Sequence, residues 1–330
     1  MDYVQFGSTE LKVSRYAVGC MSMSGSYGTA DDAESLATLQ QAFDLGVNFL
    51  DTSASYGEGH NHSLIAQALK GRRERIVIHS KSGSPRKKDT DGNRSLGGGS
   101  PEYLIKTCEE SLTNLGIDTL DVFCMSRIDP NIPIEESVGG MARLVEQGKA
   151  RYISLSEASG ESIRRARKVH PVVSLQIEFS IFSRDAEQGN LDACREFGMS
   201  LMAYAPLGRG LLTGEFNTTD DLPEGDRRRS APRFSPGNIE RNADLLNQIR
   251  AIAQEKDATL PQIALAWLMS RGPDVIPIPS SKSRKHLLEN IKACDIVLTA
   301  DDLARIDAIA PYGAPAGTRL REQDMSRANV

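Results

Sequence analysis

Aromatic residues make up only 5% of this 330-residue chain, with a single tryptophan, and histidines number five. The five cysteines, Cys20, Cys108, Cys124, Cys194 and Cys294, are odd in number and scattered without a Cys-x-x-Cys pair. That pattern excludes a disulfide framework or a thiolate zinc site and fits reduced thiols in a cytoplasm. No apolar run approaches the length that crosses a bilayer. The opening MDYVQFGSTELKVS has no basic segment followed by an apolar stretch, so no secretory signal is expected there and the localisation expected is cytoplasmic. Charge of one sign is missing too. Lys and Arg total 39 against 44 Asp and Glu, a net −5, which gives no reason to expect nucleic acid or an anionic membrane as partner. No Gly-x-Gly-x-x-Gly follows an early strand, as an open dinucleotide-binding sheet would require. Gly97-Gly98-Gly99 is the densest glycine cluster, and after a charged loop it reads as a flexible linker.

What is present is a repeated unit. Residues 2 to 13 alternate around Gly7-Ser8-Thr9 and predict a hairpin. Then come short apolar strands ending near Cys20, Asp51, Lys81, Met125, Leu155, Gln176, Tyr204 and Pro279, interleaved with segments of helical spacing. Ser100-Pro101-Glu102, for instance, opens one helix with a cap residue and a proline in its first position. Eight strand-helix alternations predict a single domain over residues 1–330, an α/β fold of the closed TIM (β/α)8 barrel kind with an N-terminal β-hairpin. The stretch Gly214 to Asn242 is too long for an ordinary connection. It reads either as a loop closing over a ligand or as a solvated insertion.

In such a barrel the strand C-termini share one rim, where active sites lie. Asp51, Tyr56, Lys81, Ser126, Ser156, Gln176 and Tyr204 each sit at or just past a strand end. The first three offer an acid, a phenol and an amine. Free tyrosine titrates near pH ~10, and a neighbouring ammonium lowers that value, which favours a tyrosine proton donor with Asp51 holding Lys81 in place. Taken singly, each residue reads equally well as a cap, a turn or a solvated side chain. A further run, Ser280-Ser281-Lys282 before a helix, offers free N–H groups, a helix dipole and cations to an anion; its plainer reading is a basic helix start.

The motifs Gly19-Cys20-Met21, Asp51-Thr52 through Tyr56-Gly57, Lys81, Arg127-Ile128-Asp129-Pro130, Ser154-Leu155-Ser156-Glu157, Gln176-Ile177-Glu178-Phe179-Ser180, Ala203 to Gly210 and Ile278-Pro279-Ser280-Ser281 are spread over nearly the whole chain. In that order they resemble the aldo-keto reductases. The resemblance implies an NADPH-dependent oxidoreductase that passes hydride to a carbonyl carbon of a small molecule. Tyr56 would be the proton donor, tuned by Asp51 and Lys81. It further implies that Ser156 and Gln176 hold the nicotinamide carboxamide, Tyr204 stacks on the ring, and Pro206, Leu207, Arg209 and Gly210 line the pyrophosphate. Ser280, Ser281 and Lys282 would sit near the 2′-phosphate, with His286, Glu289 and Asn290 by the adenine; Gly19, Cys20 and Met21 complete the implied cofactor site.

Two departures stand out. Most members place histidine where this chain has Ser126, which implies a roomier substrate pocket with a serine donor, and Glu157 stands where many have asparagine. His79 reads as a substitute for the missing histidine or as a packed barrel residue. His60 and His62 lack a third metal ligand and read as a solvated helix start, so no metal is expected. Within the family the chain is similar to pyridoxal reductases in Gly99-Ser100-Pro101-Glu102, Leu155 to Ser159 and Phe179 to Asp185, which points to pyridoxal as substrate. Potassium-channel β subunits also depart from the histidine, so a redox-sensing NADPH-binding module is the competing implication.

Overall fold

The computed structural model describes residues 1–82, 98–325 and 328. Its chain runs β1 (Tyr3–Gln5), β2 (Lys12–Ser14), β3 (Val18–Gly19), α1 (Asp32–Asp44), β4 (Phe49–Ser53), α2 (His60–Ala68), β5 (Val77–Lys81), α3 (Pro101–Leu115), β6 (Leu120–Met125), α4 (Ile134–Glu146) and β7 (Ala150–Ser156). It continues through α5 (Gly160–Arg167), β8 (Val172–Glu178), α6 (Asn190–Glu196), β9 (Ser200–Tyr204), α7 (Asn238–Glu255), α8 (Leu260–Met269), β10 (Val275–Ile278), α9 (Arg284–Ile291), α10 (Ala300–Ile309) and α11 (Glu322–Met325). Helix starts follow local chemistry. Ser100 accepts a hydrogen bond from the Tyr103 N–H at 3.2 Å with Pro101 in the first turn, and Asp31 accepts from Glu34 at 2.9 Å.

Strands β3 to β10 pair in parallel in strict chain order. The ring closes where Gly19 bridges Ser280, with the Gly19 N–H donating to the Pro279 carbonyl at 3.0 Å. A Cβ on Gly19 would lie 3.1 Å from the Ile278 carbonyl oxygen, so a side chain there would make the seam give by a few tenths of an ångström. The strand expected to end near Cys20 is only Val18–Gly19, and Pro277 and Pro279 opposite it have no N–H to return. This is the TIM (β/α)8 barrel.

Alternation sorts each strand into two faces. Phe49, Val77, Val122, Val173, Met202 and Ile276 pack together inside the barrel, while Leu50, Ile78, Phe123, Leu175 and Leu201 join the larger core under the helices. The β1–β2 hairpin is antiparallel and sends Phe6 into the inner cluster, edge-on to Phe49 at 5.0 Å between ring centres. It plugs the barrel end opposite the strand C-termini. Gly97 lies outside the described residues, but Gly98 and Gly99 are buried. Ser137 donates to the Gly99 carbonyl at 2.6 Å, and a Cβ on Gly99 would lie 2.8 Å from that of Asp129. Close packing, rather than a flexible linker, explains glycine at that end of the cluster. Helix α10 lies beyond the eight expected strand-helix units and starts on a capping box formed by Thr299 and Asp302.

Candidate active site

Two-residue periodicity continues the inner face of β4 from Phe49 to Asp51 and that of β5 from Val77 through His79 to Lys81. Register sets Asp51 beside His79 and Ser53 beside Lys81. The Lys81 ammonium donates to both carboxylate oxygens of Asp51 at 2.7 Å and to the Thr52 carbonyl at 2.8 Å. His79 Nδ1 lies 2.9 Å from Asp51 Oδ1, and Gln176 Nε2 donates to the same oxygen at 2.7 Å. Burial alone would neutralise Asp51. The neighbouring cation and these hydrogen bonds outweigh it and hold the carboxyl below its usual range.

Tyr56, in the turn after β4, places its ring centre 5.1 Å from Lys81 Nζ. The ring is partly open to a cavity yet densely surrounded by protein. Desolvation pushes its phenol up to about 12, while the Lys81 charge and a hydrogen bond from it pull the other way. The downward shift expected from the sequence is therefore reversed. Lys81 restrains the rise without cancelling it.

The cavity has a volume of about 1940 Å³ and runs along the rim from Tyr56 to α9. Gly19, Met21, Asp51, Tyr56, Lys81, Ser126, Gln176, Tyr204, Pro206, Leu207, Arg209, Gly210, Ser280, Lys282, His286, Glu289 and Asn290 all line it. Three residues singled out in the sequence do not. Cys20 is buried with its sulfur near the Val18 carbonyl. Ser156 lies just beneath, accepting from Arg127 Nη1 at 3.3 Å, and Ser281 turns inward to Asn290 Nδ2 at 3.2 Å. Among non-glycine residues described, five have left-handed backbone, and four of them, Glu58, Glu157, Ala205 and Arg209, are at this rim. Strain concentrated at a ligand-facing edge is typical of sites held by their surroundings.

The long 214–242 stretch borders the cavity through Phe216, Arg228 and Ala231, among others. Arg228 stacks between the rings of Phe216, at 4.6 Å, and Tyr27, at 5.5 Å. Lys282 donates to the Tyr27 and Thr29 carbonyls at 2.7 and 2.6 Å, leaving one of its three ammonium protons without a partner among the described residues. Glu157 faces away from the cavity, bound to Arg319 and to the Tyr204 hydroxyl. Roles for Tyr27, Arg228 and Arg319 were not read from the sequence, because isolated aromatic and basic residues in polar loops carry no periodic signal.

His79 is fully buried and spends its Nδ1 on Asp51, so it does not face a substrate in place of the missing histidine. His60 contacts Asp32 and Ser24, and His62 contacts Ser80. Among the described residues no cluster of three or more His, Cys, Asp or Glu could hold a metal ion, and no helix is long and apolar enough to cross a membrane.

The chain is similar to known proteins over nearly its whole length. The chain is 37% identical over 318 residues to a probable aldo-keto reductase 1 from Glycine max, covering 96% of this chain and 91% of that one. The glycerol dehydrogenase of Gluconobacter oxydans superposes with a TM-score of 0.84 at 26% identity, covering 96% of this chain and 97% of the other. A thermostable aldo-keto reductase bound to the inhibitor epalrestat gives 0.74 at 29% identity, covering 94% and 100%. The aldo/keto reductase family model matches residues 16–311, and with it the chain belongs to the aldo/keto reductase family of oxidoreductases, which reduce carbonyl compounds.

Proposed function

We propose that the protein is an NADPH-dependent carbonyl reductase in which Tyr56 supplies the proton. The observation that carries this reading is Lys81, a buried cation bound by Asp51 at 2.7 Å and set against the ring of Tyr56 at the wall of the cavity. When bound, a reduced nicotinamide supplies the hydride for the carbonyl carbon. The chain's own residues do the rest. Tyr56 is protonated at neutral pH because burial holds its pKa near 12, so it can donate its proton to the developing alkoxide. Lys81 stabilises the phenolate left behind, and Asp51 keeps Lys81 charged and aimed. Ser126 is a hydroxyl donor in the same pocket, smaller than the histidine it replaces.

The cavity fits a dinucleotide in chemistry as well as extent. Its Tyr56 end offers Gln176 and the Tyr204 ring, its middle Arg209 and Gly210, and its far end Lys282, His286 and Asn290. In this reading Gln176, which lines the cavity as Ser156 does not, holds the carboxamide. Lys282 uses its remaining proton on the 2′-phosphate, which favours NADPH over NADH, and pyridoxal is the proposed substrate. Changing Tyr56→Phe should lower kcat by about 10²–10⁴, the usual contribution of a general acid, with the Kd for NADPH nearly unchanged. Full activity in that variant refutes the mechanism. If NADPH-loaded protein fails to oxidise its nicotinamide with pyridoxal and every other carbonyl tried, the sensor reading, left open by Ser126, takes its place.

A further inference from the structure

Arg319 belongs to the segment after α10, yet it is only 4% exposed, an unusual position for an arginine. Its guanidinium grips Glu157 with two parallel bonds, Nη1 to Oε1 at 2.8 Å and Nη2 to Oε2 at 2.7 Å. This is the strong bidentate form of the contact. Glu157 is itself fully buried, and its Oε1 also accepts the Tyr204 hydroxyl at 2.7 Å. The Arg319 carbonyl accepts from Arg209 Nη1 at 2.8 Å, while Arg209 Nη2 donates to Glu178 at 2.6 Å. Tyr204 and Arg209 both line the cavity, and so do Leu320 and Arg321, which follow Arg319 directly. One arginine thus ties a late segment to two walls of the cavity.

Lifting Arg319 takes from the buried Glu157 carboxylate its two-pronged partner, a loss that the further charge of Arg127 offsets only in part, so undocking the segment is costly. With Glu157 disturbed, the Tyr204 hydroxyl loses its acceptor, and with the Arg319 carbonyl gone, Arg209 loses one of its two anchors. A ligand lying against Tyr204 and Arg209 therefore favours the docked arrangement.

We propose that Arg319 and Glu157 are positioning residues for dinucleotide binding, locking segment 317–321 onto Tyr204 and Arg209 so that filling the cavity and docking the segment reinforce each other. The inference rests on the NADPH reading above. Because such coupling is reciprocal, NADPH must tighten the segment as much as the segment tightens NADPH. Titrating NADPH fluorescence and following amide hydrogen exchange of residues 317–321 tests both halves. In the unaltered protein NADPH should slow exchange in that segment. Arg319→Gln should raise the Kd for NADPH by about tenfold or more, within the usual range of site couplings, and abolish the protection. Arg319→Lys, which keeps the charge but loses the two-pronged geometry, should fall between, and it carries the test if the glutamine variant does not fold.

A pair that serves stability alone would lower the melting temperature while leaving Kd and protection as they were; that result overturns the proposal. So does equal exchange with and without NADPH in the unaltered protein. Failure of NADPH to bind at all would bring down the cofactor reading together with this one, whereas binding without protection brings down this one alone.

Discussion

Tyr56 shows how burial and charge compete at one residue. Sequence alone pairs the phenol with an ammonium and implies easy ionisation; the structure adds desolvation, which wins and holds the phenol near 12. The consequence depends on reaction direction. Reduction needs the phenol, which stays protonated through neutral pH, so Tyr56 imposes no loss of rate until the pH nears that value. Alcohol oxidation needs the phenolate, so its rate should climb about tenfold per pH unit below the pKa, a slope that pH profiles of the two directions would expose. His79 offers a second residue-level prediction. A carboxylate only accepts, so the proton must sit on Nδ1, and among the described residues Nε2 is left buried without a partner. His79→Leu should cut kcat about tenfold, the scale of one lost hydrogen bond to a charged group, and His79→Asn, whose amide nitrogen falls where Nδ1 was, should restore most of it. Equal rates in all three proteins would show that Asp51 needs no such support.

Elements were legible wherever a local signal existed. Ser100-Pro101 announced α3, and the six apolar-rich residues Leu120–Met125 formed β6 at the expected bounds. Helix α10 carries only the local Thr299–Asp302 capping signal in the sequence, and a stabilising partner comes from elsewhere in the chain. Asp302 accepts from the Thr299 N–H at 2.7 Å and from Lys256 Nζ at 2.6 Å. These partners outweigh desolvation and lower its carboxyl from 3.8 to about 2. A folded-state pKa below the unfolded value means a contribution present above pH 3.8 and lost as the pH falls through about 2. Asp302→Asn should destabilise the protein by about 1 kcal/mol at neutral pH, the usual worth of a cap. Denaturant titrations of both proteins should then converge as the medium is acidified. A difference that persists at low pH would assign the loss to packing instead.

At the scale of the whole molecule, the barrel could be read because it is built from eight repetitions of one local pattern, and the rim followed from the barrel. The site's supporting contacts could not. Gln176 reaches Asp51 across 125 residues of sequence and Arg319 reaches Glu157 across 162, and neither pairing leaves a periodicity behind. The same long range gives the cavity a global consequence, since its walls come from the loops after β3 and β4, from α9 and from segment 320–324. A ligand that fills it binds only the folded chain and bridges the seam where Gly19 meets Ser280. NADPH at a hundredfold excess over its Kd should add about 2.7 kcal/mol of stability, raising the melting temperature by about 3–8 °C. NADH lacks the 2′-phosphate that the free Lys282 proton would bind, a charged contact of about 1.5–3 kcal/mol, so at the same concentration it should add only about 0.3–1.3 kcal/mol and shift melting by less than half as much. Lys282→Glu should erase that preference; equal shifts with both cofactors in the unaltered protein would place cofactor discrimination away from α9.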